Sequence, residues 1–537
     1  MKKETKYEVI VLFILLALAL FIRIFIFQTQ KVIETDGPYY AELGKNLISG
    51  HGYMDIEGNL NLLLTPLYPV LIGLLSLIIK NLELSARLIS ITFGVLLVIP
   101  VYLIAKKFHG KKIGYLSALF IALYPPLVYI STITYTDSLY LFLLFTSLYI
   151  GWLALTENKI KLYLILGLML GLSYLTRPEA VFYVLFFSVL IFLKFIKTLK
   201  VNMKQVISGL ILLIFSFLII SSPYLIFLHE HTGKWSLSQK TDVVFKFREN
   251  TLYSPEYEKA NFGLSADGKS LNLSPYDATA KQSMLSVILS DPAGITKRYV
   301  SNIYAENSQI IPSLFPFIFI VIITIGIFSS SWDKENYKKE LFLIVLSLYP
   351  LLLYPLFWVE ERYLLPITPI FIIWLAKGSL ELSNWAKKTL NNLSVKINNK
   401  IIPILIISLV LIAFLIGNLI ITSSLNPKYE KSDQAIEHKE AGLWLKENAQ
   451  NPVVMSRKPW VSFYSEGKFV MLPYADYNET INYARYNNVE YLVIDERYIP
   501  ALRPQLTFLL NEENTKDLEL VYKNVNYKYK ILIYKLK

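Results

Sequence analysis

Cysteine is absent from the sequence, which excludes disulfides, thiolate metal sites and cysteine nucleophiles. Histidine is scarce, and His51, His109, His229, His231 and His438 are scattered. Only His229 and His231 share a loop, with no third ligand beside them, so the sequence offers no zinc centre. No phosphate-binding glycine loop, H-E-x-x-H or G-x-S-x-G motif occurs, which removes the common nucleotide, metalloprotease and serine-hydrolase readings. Charged residues make up only 18% of the chain. What fills the chain instead is apolar: 54% of its 537 residues are hydrophobic and the mean hydropathy is +0.44.

Several runs reach the ~18–20 apolar residues that cross a bilayer. Val9–Phe27 is the clearest and Ile401–Ile421 is another. No A-x-A-like cleavage site follows the first run, so it reads as a retained span. The net charge of +12 is informative through its distribution. Lys2, Lys3 and Lys6 before the first run suit a cytoplasmic start. Thr65–Ile79 is a short apolar stretch opened by two prolines. If it crossed, the cluster Lys106–Lys112 and most later lysine clusters would face outward. If it lies at the outer interface, roughly twenty lysines fall in the cytoplasm, and the positive-inside rule selects this topology.

The expected fold class is therefore a polytopic α-helical membrane protein with about 11 transmembrane helices. Spans are expected over 7–27, 86–105, 113–132, 137–155, 162–176, 180–196, 206–228, 312–331, 341–358, 363–377 and 401–422. A membrane domain, 1–422, carries outer loops 28–85 and 229–311; residues 423–537 form an extracytoplasmic domain. Within the second loop, Ser283–Asn302 reads as an amphipathic helix lying on the membrane. No internal repeat is present, which weakens a transporter reading.

The topology gathers polar residues at outer span ends. Asp36, in Thr35-Asp36-Gly37-Pro38-Tyr39-Tyr40, starts a helix; a cap residue followed by an early proline is a helix-opening pattern, so capping alone explains it. Asp137 opens the fourth span, where capping is again sufficient. Arg177-Pro178-Glu179 and Glu360-Glu361-Arg362-Tyr363 form two further outer turns, and either Arg–Glu pair could be structural. Their convergence on one face favours a site over separate caps.

The tail alternates helices and strands. Strands are expected near Pro452–Ser456, Lys468–Leu472, Val489–Asp495, Leu518–Tyr522 and Tyr529–Tyr534, with helices between the earlier ones, which suggests a small α/β domain with a mostly parallel sheet. No G-x-G-x-x-G follows its first strand, so nothing supports dinucleotide binding.

Seven segments recur in order in one family: the Asp36 loop, Pro66–Pro69, Ala86-Arg87-Leu88, Lys106–Lys112, Tyr135–Ser138, Thr176-Arg177-Pro178-Glu179 and Arg362-Tyr363-Leu364-Leu365-Pro366. The chain resembles the GT-C glycosyltransferases of the protein mannosyltransferase and lipid A aminoarabinose transferase type, over about residues 1–380. The resemblance implies transfer of a sugar from a polyprenyl-phosphate donor to a lipid, glycan or protein acceptor at the outer face of the plasma membrane, with no nucleic-acid partner. It implies Asp36 as the base that deprotonates the acceptor and Asp137 as a second acid. Arg177, Arg362 and Arg87 would face the departing phosphate, with Glu179, Tyr39, Tyr40, Tyr68 and Glu361 as further substrate-binding residues. A divalent cation, Mg or Mn, held by Asp36 and Asp137, stays open. The chain departs from the family where Gly37 replaces a common glutamate and where Leu64-Thr65-Pro66 lacks a basic residue. The alternative is a transporter or lipid-glycan flippase without transferase activity, which predicts repeated halves and charges at mid-membrane. An oligosaccharyltransferase shares the architecture, but the tail has no Trp-Trp-Asp motif.

Overall fold

The computed structural model describes residues 3–157, 159–197, 203–240, 255–272, 288–329, 333–357, 359–393, 401–422 and 434–537. Among the described residues every expected span overlaps one or more helices. In chain order they begin with α1 (Lys3–Phe27), the loop helices α2 (Gly37–Ile48) and α3 (Leu67–Ile79), and α4 (Leu82–Leu96) continued by α5 (Val98–His109). Then come α6 (Lys111–Leu123), α7 (Pro125–Ile130), α8 (Asp137–Glu157), α9 (Ile160–Tyr174), α10 (Val181–Lys197) and α11 (Met203–Thr232). The last four membrane helices are Phe317–Phe328, Lys334–Leu353, Thr368–Asn392 and Ile401–Thr422. Among the described residues seven helices are long and apolar enough to cross a bilayer, and an eighth counts if the pair Pro292–Leu314 and Phe317–Phe328, bent by 93°, is one span.

Two expected spans are interrupted for local reasons. Pro125 and Pro126 break the third, because a proline inside a helix removes a backbone donor and clashes with the preceding turn. Pro316 begins the short helix after the 93° bend. Of the amphipathic helix expected over Ser283–Asn302, residues 283–287 lie outside the described residues, and Pro292–Ala305 is helical with Asp291 capping Gly294.

α3 has 13 residues, about 20 Å at 1.5 Å per residue, too short for a ~30 Å hydrocarbon core. It crosses α2 at two glycines. A Cβ on Gly44 would sit 2.3 Å from the Pro69 carbonyl oxygen, and one on Gly73 would sit 2.4 Å from that of Gly44. Leu74, Leu77 and Ile78 remain exposed on its far side, an apolar strip suited to a membrane interface.

The two ends of the bundle differ. At one end Lys106 pairs with Glu8, and Lys107 lies 4.0 Å from Glu157. There too the buried Glu340 accepts from Lys377 at 2.6 Å and from the Trp374 indole at 2.8 Å. Between the ends, the buried Arg23 of α1 donates to the Ala122 carbonyl of α6. The other end carries α2, α3, the α7–α8 and α9–α10 turns, Glu361–Leu364 and the C-terminal domain. There Thr65 donates to the Thr176 carbonyl at 2.6 Å and the Leu67 N–H donates to the Leu175 carbonyl.

The C-terminal domain has five strands, β1 (Val453–Ser456), β2 (Lys468–Met471), β3 (Tyr491–Asp495), β4 (Leu518–Asn524) and β5 (Ile531–Leu536), in the order β2-β1-β3-β5-β4. β1 runs parallel to β2 and β3, whereas β5 is antiparallel to β3 and β4. The sheet is thus mixed, not mostly parallel. A short turn joins β4 to β5, and only antiparallel neighbours can be joined so closely. β3 is buried throughout. Tyr491 and Val493 pack with Leu445 and Val461 on one face, while Leu492 and Ile494 pack with Ile481 and Leu506 on the other. The helix Pro255–Phe262 docks on this domain through Glu258, which is fully buried and held by Arg457 at 2.5 Å and Arg503 at 2.6 Å.

Candidate functional site

The site lies where four turns of the bundle meet. Asp36 stands at the N-terminus of α2, but its side chain makes no capping hydrogen bond. The carboxylate is instead 45% exposed, with one oxygen 3.4 Å from Nη1 of Arg362. Helix capping, which alone accounts for an aspartate before Gly37-Pro38, is therefore not what occupies this side chain.

Asp137, the first residue of α8, is buried and accepts from Nη1 of Arg177 at 2.5 Å. The second Arg177 nitrogen lies 3.3 Å from Glu179. Pro178 sets the turn that carries both residues, because its fixed φ suits the start of the short helix Pro178–Ala180. Arg177 and Arg362 share an aromatic neighbour: their guanidinium carbons lie 5.5 and 5.2 Å from the centre of the Tyr363 ring. Tyr140 supports Arg177 from 5.4 Å, and Tyr135 supports Arg362 from 5.1 Å. Rings beside a cation in a poorly solvated site add to the hold that its carboxylate partners provide.

Between these groups is a narrow polar cavity lined by Tyr40, Thr65, Tyr135, Asp137, Arg177, Glu179, Lys240 and Arg362. Asp36 stands at its rim, joined to it through Arg362. Beside it opens a larger groove of about 440 Å³, with Val181, Phe182, Trp235, Leu237, Leu353 and Phe357 in its walls. Pro178, Glu179 and Lys240 border both spaces. Burial and the nearby Arg362 hold the Lys240 ammonium below the ordinary lysine value, with Glu179 and Asp36 acting in the opposite direction. A cation in that position gains from an incoming anion.

The other expected residues divide. Tyr40 lines the cavity, and Tyr68 stands behind it, edge to face at 5.4 Å, with its hydroxyl bonded to Ser90 and the Ala86 carbonyl. Tyr39 points away and donates to Glu57, which burial and the neighbouring Asp55 push up to about 7. Glu361 accepts from Ser313 at 2.7 Å and does not line the cavity. Arg87 is buried against the chain that follows α1. It donates to the carbonyls of Gln30 and Val32 at 2.7 and 2.6 Å and pairs with Glu83 at 2.8 Å. It is not brought to the cavity.

Three residues of this region had no assigned part in the sequence reading. Lys240 sits in a polar loop where no pattern distinguishes it. Glu34 lies two positions before Asp36, and its carboxylate accepts from the N–H and the hydroxyl of Thr134 at 3.0 and 2.7 Å. Tyr363 was visible only as part of the Arg362-Tyr363-Leu364 string. Asp36 and Asp137 each face a guanidinium, and among the described residues no three His, Asp or Glu side chains converge.

A family model described as dolichyl-phosphate-mannose-protein mannosyltransferase matches residues 64–220. No curated protein matches the sequence. Among solved structures, ArnT from Cupriavidus metallidurans bound to undecaprenyl phosphate superposes with a TM-score of 0.61 at 11% identity, covering 97% of each chain. The archaeal oligosaccharyltransferase AglB from Archaeoglobus fulgidus, in complex with an inhibitory peptide and a dolichol-phosphate, gives 0.57 at 13% identity, over 98% of this chain and 80% of that one. These identities speak for the fold. The chain has the GT-C glycosyltransferase fold, of the type shared by the protein mannosyltransferases and ArnT.

Proposed function

We propose that the protein is a membrane glycosyltransferase that moves a sugar from a polyprenyl-phosphate donor to a lipid, glycan or protein acceptor at the outer face of the plasma membrane. The observation that carries this reading is the apolar groove running into a polar cavity with Lys240 on their shared border. A long prenyl chain suits the groove, and its phosphate would then lie between Lys240 and Arg362. The ArnT structure holds undecaprenyl phosphate and the AglB structure a dolichol-phosphate, the kind of molecule such a transfer releases.

In the step itself the acceptor hydroxyl attacks the anomeric carbon while its proton passes to the exposed Asp36 carboxylate. The bond from that carbon to the phosphate oxygen breaks, and the phosphate leaves with one more negative charge than it had as a diester. Arg362 and Lys240 are placed to meet that added charge, where preorganised donors contribute most to rate. Asp137 is committed to Arg177, so its part is to hold the guanidinium and the turn. The outward orientation is supported by the separation of the Lys106–Lys112 end from the Asp36 end of the bundle.

The test is release of polyprenyl phosphate from a polyprenyl-phosphate sugar by the purified protein with candidate acceptors. Asp36→Asn should abolish release while the protein still inserts and folds. Full activity in that variant would remove Asp36 as the base. A tag at Lys111 reachable from outside intact cells would reverse the orientation and with it the mechanism.

A further inference from the structure

The chain between α1 and Asp36 forms no regular element, yet side chains hold five successive carbonyls in it, Thr29 to Ile33, and two of its N–H groups. The carbonyls alternate in their partners. Those of Gln30 and Val32 accept from Arg87 on α4. Those of Thr29, Lys31 and Ile33 accept from Gln434, Lys439 and the Trp460 indole, at 3.0, 2.7 and 2.8 Å. Such alternation is what an extended backbone imposes, since successive groups point to opposite sides. The N–H groups complete the pattern: Lys31 donates to Gln434 at 2.6 Å, and Ile33 donates to the Tyr464 hydroxyl at 2.8 Å.

The two sides of this clamp are themselves joined. Tyr464 in turn donates a hydrogen bond from its hydroxyl to Glu83 at 3.1 Å, and Glu83 also pairs with Arg87 and Lys439. Val32 and Ile33 are buried with Ala435, Trp460 and Tyr464. Gln434, Lys439, Trp460 and Tyr464 all belong to the C-terminal domain or its entry. Ile33 is three residues from Asp36, at most ~11 Å of extended chain.

We propose that the C-terminal domain positions the catalytic base, Trp460 and Tyr464 acting on Asp36 through the backbone of Ile33. This rests on the reading of Asp36 as the base. Trp460 and Tyr464 are positioning residues, and Arg87 is the membrane-side counterpart of the same clamp. The domain's service to the reaction is then geometric: it fixes where the carboxylate stands relative to Arg362. A misplacement of about 1 Å at a reacting group lowers rate by about a hundredfold.

Trp460→Phe removes the hydrogen bond to the Ile33 carbonyl, Tyr464→Phe removes those to the Ile33 N–H and to Glu83, and both keep an aromatic ring. In the full-length protein each should lower kcat by about ten- to a hundredfold, with the donor KM and the melting temperature close to those of the parent. Unchanged kcat, or a loss that appears wholly in donor KM, would overturn the proposal. A second readout does not depend on activity. Because the chain has no cysteine, a single nitroxide can be placed by Thr35→Cys, and its motion should quicken when either bond is removed. Gln434→Ala serves as the third variant if Trp460→Phe does not fold. Unchanged label motion would overturn the clamp whatever the activity. Quickened motion in a parent that releases no polyprenyl phosphate would uphold the clamp and overturn the transferase reading.

Discussion

The Glu34 carboxylate accepts two hydrogen bonds from Thr134, one from its backbone N–H at 3.0 Å and one from its hydroxyl at 2.7 Å. Thr134 is three residues before Asp137, and Glu34 is two before Asp36. This one contact therefore fastens the loop of the proposed base to the loop of the buried acid. Glu34→Ala leaves both Thr134 donors without it, a loss of about 1–3 kcal/mol where such groups are buried. Steady-state kinetics should show a lower kcat with donor KM nearly unchanged.

Gly37 stands where a side chain has no room. A Cβ there would lie 2.3 Å from the Thr134 hydroxyl oxygen and 2.4 Å from Cγ1 of Ile33. Gly37→Ala should destabilise the protein by about 1–3 kcal/mol through overpacking, read as a lower midpoint in thermal or denaturant unfolding.

Arg177→Ala would strand the Asp137 carboxylate, whose side chain is 4% exposed. Breaking one partner out of a buried pair costs about 3–5 kcal/mol. Adding Asp137→Asn to that variant should recover part of the stability, and a double-mutant cycle on unfolding measures how much.

Arg362→Ala and Lys240→Ala should each raise the apparent donor KM, on the order of tenfold for a lost charge-assisted contact. Donor titration of the release reaction measures this. Arg87→Ala should instead spare donor KM and lower kcat, because its nitrogens hold Gln30 and Val32.

His438 gives the C-terminal domain a pH dependence. It is buried beside Trp460, with Glu437 at 3.2 Å, Asp495 at 3.6 Å and Arg497 bonded to Glu437. Burial works against its charge, but the two carboxylates outweigh burial and raise its pKa above the ordinary 6.5. A raised pKa means the folded state binds the proton more tightly than the unfolded chain. The stabilisation is complete below about pH 6.5 and is lost as pH rises through the folded value. Unfolding measured across that range should show the decline, and His438→Gln should flatten it.

Much of this architecture was legible in the sequence because its causes are local. A run of apolar residues must bury itself or meet lipid, so the spans are written in hydropathy, and lysine placement separates the two ends of the bundle. Short apolar runs set between helical segments marked the five strands of the tail, although strand direction depended on which strands became neighbours. Asp36, Asp137, Arg177 and Arg362 could be placed on one face because each sits at a span end, and span ends follow from counting crossings. Which of them touch was decided only by tertiary structure. Arg87 and Glu361 occupy equally promising positions, yet one holds backbone carbonyls and the other a serine. Lys240 and Glu34 carry no local signal, since a lysine in a polar loop and a glutamate near a helix start look the same whether solvent or a partner faces them. Side-chain partnership joins residues hundreds of positions apart, as Ile33 joins Trp460, and that information exists only once helices and sheet have packed.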